Sequence, residues 1–416
     1  AHELGATVTG SDRAAGSAYA GPLRERGIVA AAGHDAAHVP DGAELVVSSA
    51  IALDNPERAA GRDRGLRELH RAELLGEITA LRPTIAVSGT HGKTTTSSMV
   101  VHALRGCGLD PSYLVGGEVR STGANAGWGT GEWLVVEADE SDRSLLRLHP
   151  RVAVLTNAEL DHHTTYSSQR DVDETFAAFL GLAEVAVLGD EPGLERLAGA
   201  TERVVARPEA IELSEAGSRF TVDGVPVALP VPGAHNARNA AAAIVACRLA
   251  GADPAAAAAA LADFAGAGRR FERVGLTAGG AEVVDDYAHH PTEVRATLQA
   301  ARTLAPRRVV AAFQPHLFSR TARQAREFGA ALALADLVVV LDVYPARERA
   351  EDFPGVSGRL VAAAAADAAG GRRVAWLPGF DAAEAFLRAE LRHGDLLLTL
   401  GAGDVDALGR RLAAAH

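Results

Sequence analysis

Lysine is almost absent from this sequence. Lysine and arginine total 41 among 416 residues, and the single lysine is Lys93. A chain that uses arginine wherever either cation serves keeps lysine where a compact ammonium does what a planar guanidinium cannot. Cysteine is equally scarce. Cys107 and Cys247 cannot build a disulfide framework, and two thiols far apart in sequence fit a reducing cytosol as small buried hydrophobes. No apolar run approaches the roughly 18 residues of a membrane span, and nothing near Ala1 resembles a signal peptide. The chain therefore reads as cytoplasmic, with no membrane partner. Cations are outnumbered too: the net charge of −12 argues against a nucleic-acid partner, while leaving room for a local basic site that takes an anionic substrate.

What is present is an ordinary globular composition, 48% hydrophobic and 23% charged, at a length that suits roughly two to three domains. Apolar strand-like runs alternate with helical stretches: Leu45–Val47, Thr84–Val87, Leu134–Val136, Val152–Leu155, Val309–Phe313, Leu337–Leu341 and Leu396–Leu400. That alternation predicts α/β architecture with parallel sheets covered by helices. The Ala-rich stretch Ala255–Ala260 follows Asp253 and Pro254, an N-cap and first-turn pair, and reads as a helix. Joins near Leu81-Arg82-Pro83 and Ala265-Gly266-Ala267-Gly268 divide the chain into domains over 1–82, 83–267 and 268–416. At the start, Ala1–Leu4 reads as a last helical turn capped by Gly5, and Thr7–Thr9 as a strand ending at Ser11-Asp12. A nucleotide-binding unit would open earlier, with a strand and a glycine turn, so the first domain reads as beginning in mid-unit.

The strongest local signal is Gly89-Thr90-His91-Gly92-Lys93-Thr94-Thr95-Thr96, after the strand Thr84–Val87 and before an apolar-periodic helix over Ser97–Leu104. Glycines let backbone N–H groups approach phosphate oxygens, and the helix N-terminus adds a positive dipole. Lys93 would reach the β and γ phosphates, and Thr94 would hold Mg²⁺ through its hydroxyl. Val87 stands where the longer phosphate-loop pattern has a glycine, so a shorter loop is expected. Two further strand ends carry Glu137-Ala138-Asp139-Glu140-Ser141-Asp142 and Thr156-Asn157-Ala158-Glu159-Leu160-Asp161-His162-His163. Carboxylates and imidazoles at the C-terminal edge of such a sheet are placed to serve a metal-bound nucleotide. Pro232-Gly233-Ala234-His235-Asn236-Ala237-Arg238-Asn239 opens an Ala-rich helix, where His235 and Asn239 could meet a purine base. Asp285-Asp286-Tyr287-Ala288-His289-His290-Pro291 and Gln314-Pro315-His316-Leu317-Phe318-Ser319-Arg320-Thr321 place two more polar clusters behind strands.

Together, in this order and with Arg269-Arg270-Phe271-Glu272, these strings resemble the Mur ligases of peptidoglycan precursor synthesis, and the alanine-adding branch most closely. The resemblance runs from Gly10-Ser11-Asp12 to Gly401-Ala402-Gly403-Asp404. It implies three α/β domains: a Rossmann-like N-terminal one, a central P-loop ATPase-type parallel sheet and a C-terminal Rossmann-like one. It also implies roles. Gly89, Thr90, His91, Gly92, Lys93, Thr94 and Thr95 would bind the ATP phosphates, with His235 and Asn239 at the adenine, and Arg270 and Asp286 closing from the third domain. Thr94, Glu137 and His162 would hold Mg²⁺ or Mn²⁺. Ser48, Ser49 and Asn125 would help hold UDP-N-acetylmuramate. His289, His316 and Arg320 would face L-alanine, with Arg320 on its carboxylate.

The implied reaction is ATP-dependent ligation of L-alanine to UDP-N-acetylmuramate through an acyl phosphate. Lys93 would neutralise charge, and His162 or His289 would take the proton of the amine. Gly266–Gly268 would be the hinge for domain closure. The carbamylated lysine of sister ligases has no counterpart, because no second lysine exists. The rival readings are a ligase that reattaches a recycled tripeptide to the same UDP-sugar, which the contexts of Ser141 and Tyr287 disfavour, and a non-catalytic nucleotide-binding relative. The chain is expected to act as a monomer or weak homodimer.

Overall fold

The computed structural model describes residues 1–13, 20–48 and 50–413. Ser49 lies outside the described residues. The central sheet shows why the chain folds as its pattern suggests. Thr84–Ser88 is buried along its whole length, with Ile85 and Val87 packed on one face and Ala86 on the other. A strand covered on both faces has no polar side to present and reads as a continuous apolar run. It sits in mid-sheet, in the order Glu202–Ala206, Val185–Gly189, Val152–Leu155, Thr84–Ser88, Leu134–Glu137, Ser112–Val119, Ala124–Gly127. All neighbours pair in parallel except the last two, which are antiparallel. The helices Lys93–Gly106 and Ala234–Leu249 cover one face through Met99, Val100, Leu104 and a run of buried alanines. Tyr166, Phe176 and Phe179 fill the other.

A six-stranded sheet follows, in the order Glu272–Leu276, Glu282–Asp286, Asp395–Leu400, Arg308–Phe313, Leu337–Val340, Arg373–Trp376, parallel apart from its first strand. The N-terminal stretch forms two short parallel ladders, Gly10–Asp12 with Ala30–Ala32 and Leu45–Val47 with Glu68–His70. An antiparallel sheet over Glu209–Ser214, Gly217–Val222 and Val225–Leu229 had no expectation attached to it.

Local readings fare unevenly. Asp253 caps Pro254–Ala260 by accepting from Ala256 N, as its sequence suggests. The first strand is Gly10–Asp12 rather than Thr7–Thr9, because those residues find no partner while Gly10–Asp12 pairs with Ala30–Ala32. The turn before it is a short 3₁₀ helix, His2–Leu4, ended by Gly5 at φ 91°. The phosphate-loop helix begins at Lys93, not Ser97, since Gly92 at φ 82° turns the chain directly into it.

Candidate active site

The phosphate loop is shaped by close approach. A Cβ on Gly89, where φ is 134°, would lie 2.1 Å from Thr156 Oγ1, and one on Gly92 would lie 2.6 Å from Asn239 Oδ1. Only glycine fits where the loop passes the neighbouring strand end and the Ala-rich helix. That strand end grips the loop. His91 N donates to Asn157 Oδ1 at 2.9 Å, Asn157 Nδ2 donates to His91 O at 2.9 Å, and Thr90 Oγ1 donates to Glu159 O at 2.9 Å. Lys93 Nζ folds back into this loop, donating to Gly89 O at 2.8 Å and Thr90 O at 3.2 Å.

The lysine is paired with a residue that the sequence reading left without a role. Glu140, 2% exposed, places Oε1 at 2.9 Å from Nζ. Burial works against the ammonium, yet Glu140, Glu137 and Asp139 outweigh it and raise its pKa above the ordinary lysine range. Glu140 Oε1 also lies 3.3 Å from His162 Nε2, which links the lysine to the third strand end. His162 stands at φ 49°, an uncommon conformation for a residue with a Cβ and a frequent mark of functional positions.

Beside His162, Asp161 pairs with Arg320 from the C-terminal part of the chain. Nη2 donates to Oδ1 at 2.9 Å and Oδ2 at 3.0 Å, and both residues are 4% exposed. Burial would raise the Asp161 pKa, but Arg320 overrides it and holds the carboxyl well below the usual carboxylate range. In this arrangement the guanidinium expected on an amino-acid carboxylate is on Asp161, with Nη1 also donating to His316 Nδ1 at 3.3 Å. His316 stacks on Tyr344 with ring centroids 5.8 Å apart, and burial with Arg320 pushes its pKa down to about 4. His289 packs edge-on against His316 and Tyr287, and burial pushes it down to about 3.

Seven of the expected nucleotide residues, His91, Gly92, Thr95, His235, Asn239, Arg270 and Asp286, line one cavity of about 360 Å³, walled by both the central and the C-terminal parts, while Gly89, Thr90, Lys93 and Thr94 do not. His235 is held neutral there, its pKa pushed down to about 4 by burial, which suits stacking on a base. Asp286 accepts from Phe271 N and Ala288 N at 2.8 Å each, and burial pushes its pKa up to about 6 against the pull of Arg270.

A larger cavity of about 980 Å³ is lined by Thr94, Glu137, Asn125, Arg270 and Tyr287, and by N-terminal residues including Leu23, Arg26 and Ile28. Thr94 and Glu137 thus share one wall. Opposite them the glycines of Ser112–Val119 leave room: a Cβ on Gly116 would lie 2.7 Å from Glu137 Oε1, and one on Gly117 3.0 Å from Thr94 Cγ2. A hydroxyl and a carboxylate in such a cradle are hard oxygen donors of the kind Mg²⁺ takes. Ser48, His162, His289, His316 and Arg320 line neither cavity, so the third expected metal ligand, His162, does not share the wall of Thr94 and Glu137. Arg269, also without an expected role, braces the join by donating to Asp285 Oδ2, Gly403 O and Gly401 O at 2.9 Å each. Glu140, Asp161 and Arg269 were visible only as polar residues near strand ends, and their partners are far along the chain.

Comparison with known proteins agrees with this geometry. Family models described as "Mur ligase family, catalytic domain", "Mur ligase middle domain" and "Mur ligase, glutamate ligase domain" match residues 1–82, 87–247 and 269–403. A UDP-N-acetylmuramate–L-alanine ligase of Kineococcus radiotolerans is 49% identical, over 97% of this chain and 90% of its own length. The crystal structure of a UDP-N-acetylmuramate-alanine ligase from Thermotoga maritima superimposes with a TM-score of 0.81 at 28% identity, covering 99% of this chain and 94% of that one. A murein peptide ligase from Psychrobacter arcticus gives 0.69 at 25% identity, covering 99% and 94%.

Proposed function

The chain belongs to the Mur ligase family, and on that premise we propose that it uses ATP to join L-alanine to UDP-N-acetylmuramate through an acyl phosphate. The observation that carries the reading is where the two cavities meet. Gly92 and Thr95 line the smaller one, Thr94 the larger, and Arg270 both. A nucleotide in the smaller cavity, with its phosphates on the loop, would direct its γ-phosphoryl group toward an acceptor in the larger one.

A carboxylate resists attack by an amine because its charge is delocalised. Here a carboxylate oxygen of the acceptor attacks the γ-phosphorus, the bond to the β-phosphate oxygen breaks, and ADP leaves. The amine nitrogen of alanine then attacks the acyl carbon. The bond to the phosphate oxygen breaks, inorganic phosphate leaves, and the nitrogen gives up a proton. Lys93 turns from Gly89 O and Thr90 O onto the phosphates and neutralises the charge that builds there. Mg²⁺ or Mn²⁺, held by Thr94 and Glu137, would supply further charge neutralisation at the phosphates. Of the two imidazoles expected as proton acceptors, His289 is a weak base in its buried place. His162, 3.3 Å from Glu140 Oε1, is the other candidate. Most of the acceleration comes from holding three ligands in line.

In this reading residues 1–82 carry the acceptor together with Ser48, Ser49 and Asn125, residues 83–267 the ATP, and residues 268–416 close over both with His289, His316 and Arg320. Among the described residues no helix is long and apolar enough to cross a membrane. The acidic charge and the two unpaired cysteines support a cytoplasmic protein without a nucleic-acid partner, taken here as a monomer or weak homodimer. The test is phosphate release from ATP. Release that needs both UDP-N-acetylmuramate and L-alanine supports the reading, and release that needs a tripeptide in place of L-alanine overturns it.

A further inference from the structure

At the join between the central and C-terminal parts, His91, Glu159 and His290 each bring a ligand atom within 4.8 Å of the others. His91 comes from the phosphate loop, Glu159 from the end of strand Val152–Leu155, and His290 from the turn before helix Pro291–Thr303. We propose that these three side chains form a binding site for a zinc-class divalent cation, separate from the Thr94–Glu137 position, that ties the two parts of the molecule together. The proposal does not depend on the ligase reading.

The donor set is two imidazoles and a carboxylate, the mixture that Zn²⁺ takes when one position stays open. Glu159 Oε2 lies 2.7 Å from His91 Nε2 and 3.7 Å from His290 Nδ1, and all three ligand atoms fall within 4.8 Å of one another. Ligand atoms at zinc distances are about 3.3 Å apart, so the two distances from the carboxylate bracket that value.

Each ligand is also oriented from behind. Thr292 Oγ1 donates to Glu159 Oε1 at 3.1 Å, leaving Oε2 toward both rings. His91 Nδ1 lies 3.2 Å from Glu293 Oε1, so the Nδ1–H donates to this carboxylate and Nε2 is the ligating atom. Thr292 N lies a long 3.4 Å from His290 Nδ1, a weak contact to the one lone pair of that nitrogen, which a bound cation would take over. The proton is then on His290 Nε2, 3.0 Å from the Gln324 amide, whose buried Oε1 has no other partner. Turning that amide end for end lets Oε1 accept the Nε2–H. A partner on the far nitrogen of each imidazole is the usual outer support of a metal-bound histidine. The open position faces the smaller cavity, which His91 and Glu159 line.

Occupancy has one consequence. Two ligands belong to the central part and one to the C-terminal part, so the cation resists their separation and slows any reaction that needs them to open.

The experiment is chelator competition with Zn²⁺ on the full chain, with Co²⁺ absorption reporting the ligand type. One equivalent is expected to bind. Its affinity is expected to fall at least tenfold in both His290→Asn, whose side chain still accepts from Thr292 N, and Glu159→Gln, and to be unchanged in Glu137→Gln. Far-UV circular dichroism and thermal unfolding of each variant verify that it is folded. No stoichiometric uptake by the wild type would overturn the proposal and leave the cluster an ion-paired contact. So would uptake that survives His290→Asn and Glu159→Gln but is lost in Glu137→Gln, which places the cation at the phosphate loop.

Discussion

Glu140, itself buried, holds both carboxylate oxygens against the ammonium of Lys93, Oε1 at 2.9 Å and Oε2 at 2.8 Å. The pair explains how the Lys93 ammonium stays charged in a buried loop. Removing one partner of a buried pair leaves the other uncompensated, at about 3–5 kcal/mol. Glu140→Gln is therefore expected to lower the melting temperature of the nucleotide-free protein by several degrees, and saturating ADP to recover much of the loss because phosphates replace the lost charge. Differential scanning fluorimetry with and without ADP reads both. An equal loss in the two conditions would mean that Glu140 acts on the fold and not on the lysine.

The scarcity of lysine implies that arginine does not substitute at position 93. Lys93→Arg is expected to lower kcat by about a hundredfold or more, close to the effect of Lys93→Ala, because a guanidinium cannot enter the pocket formed by Gly89 O, Thr90 O and Glu140. Phosphate release under saturating substrates measures it. Near-normal turnover by Lys93→Arg would refute the argument.

Arg320 and Asp161 make a buried contact between the central and C-terminal parts, 159 residues apart. Arg320→Leu and Asp161→Asn are each expected to destabilise by about 3–5 kcal/mol, and the double variant by less than the sum. Urea unfolding of the four proteins closes the cycle. Additive losses would show that the two residues do not act as a pair.

Asp286 gives a pH dependence whose sign is set by its raised pKa. Burial favours the protonated form in the folded chain, moving the pKa from 3.8 to about 6 despite Arg270, while Glu293 adds to the rise. The folded state therefore holds this proton more tightly than the unfolded one. The resulting stability is full below about pH 3.8 and is lost as pH rises through 6, by up to about 3 kcal/mol. Relative to wild type, Asp286→Asn is expected to gain about that amount between pH 4 and pH 7. Denaturation at several pH values tests this, and a constant difference between the two proteins would contradict it.

Reading the chain alone went furthest where the signal is local. Gly89, Gly92 and Lys93 were recognisable because a strand, a glycine turn and a helix start lie within a dozen residues, and each glycine answers to a contact that a Cβ would break. The central strands were recognisable because burial on both faces makes them continuous in apolar residues. Thr7–Thr9 was misplaced because a three-residue strand owes its position to its partner, Ala30–Ala32, and not to its own composition. Glu140 was passed over in favour of Glu137, since adjacent acids on one turn look alike until the direction of each side chain is known.

The sequence by itself determined the family, the α/β class and the glycine turn between strand and helix, because these rest on periodicity, turn chemistry and ordered short motifs. The tertiary structure alone decided that Glu140 faces Lys93, that Arg320 rests on Asp161, that Arg270 stands where two cavities meet, and that His91, Glu159 and His290 converge. Most of these relationships join residues dozens to nearly 200 positions apart. Side-chain pairing at such separations leaves no periodic trace in the chain and exists only once the packed sheets bring strand ends together.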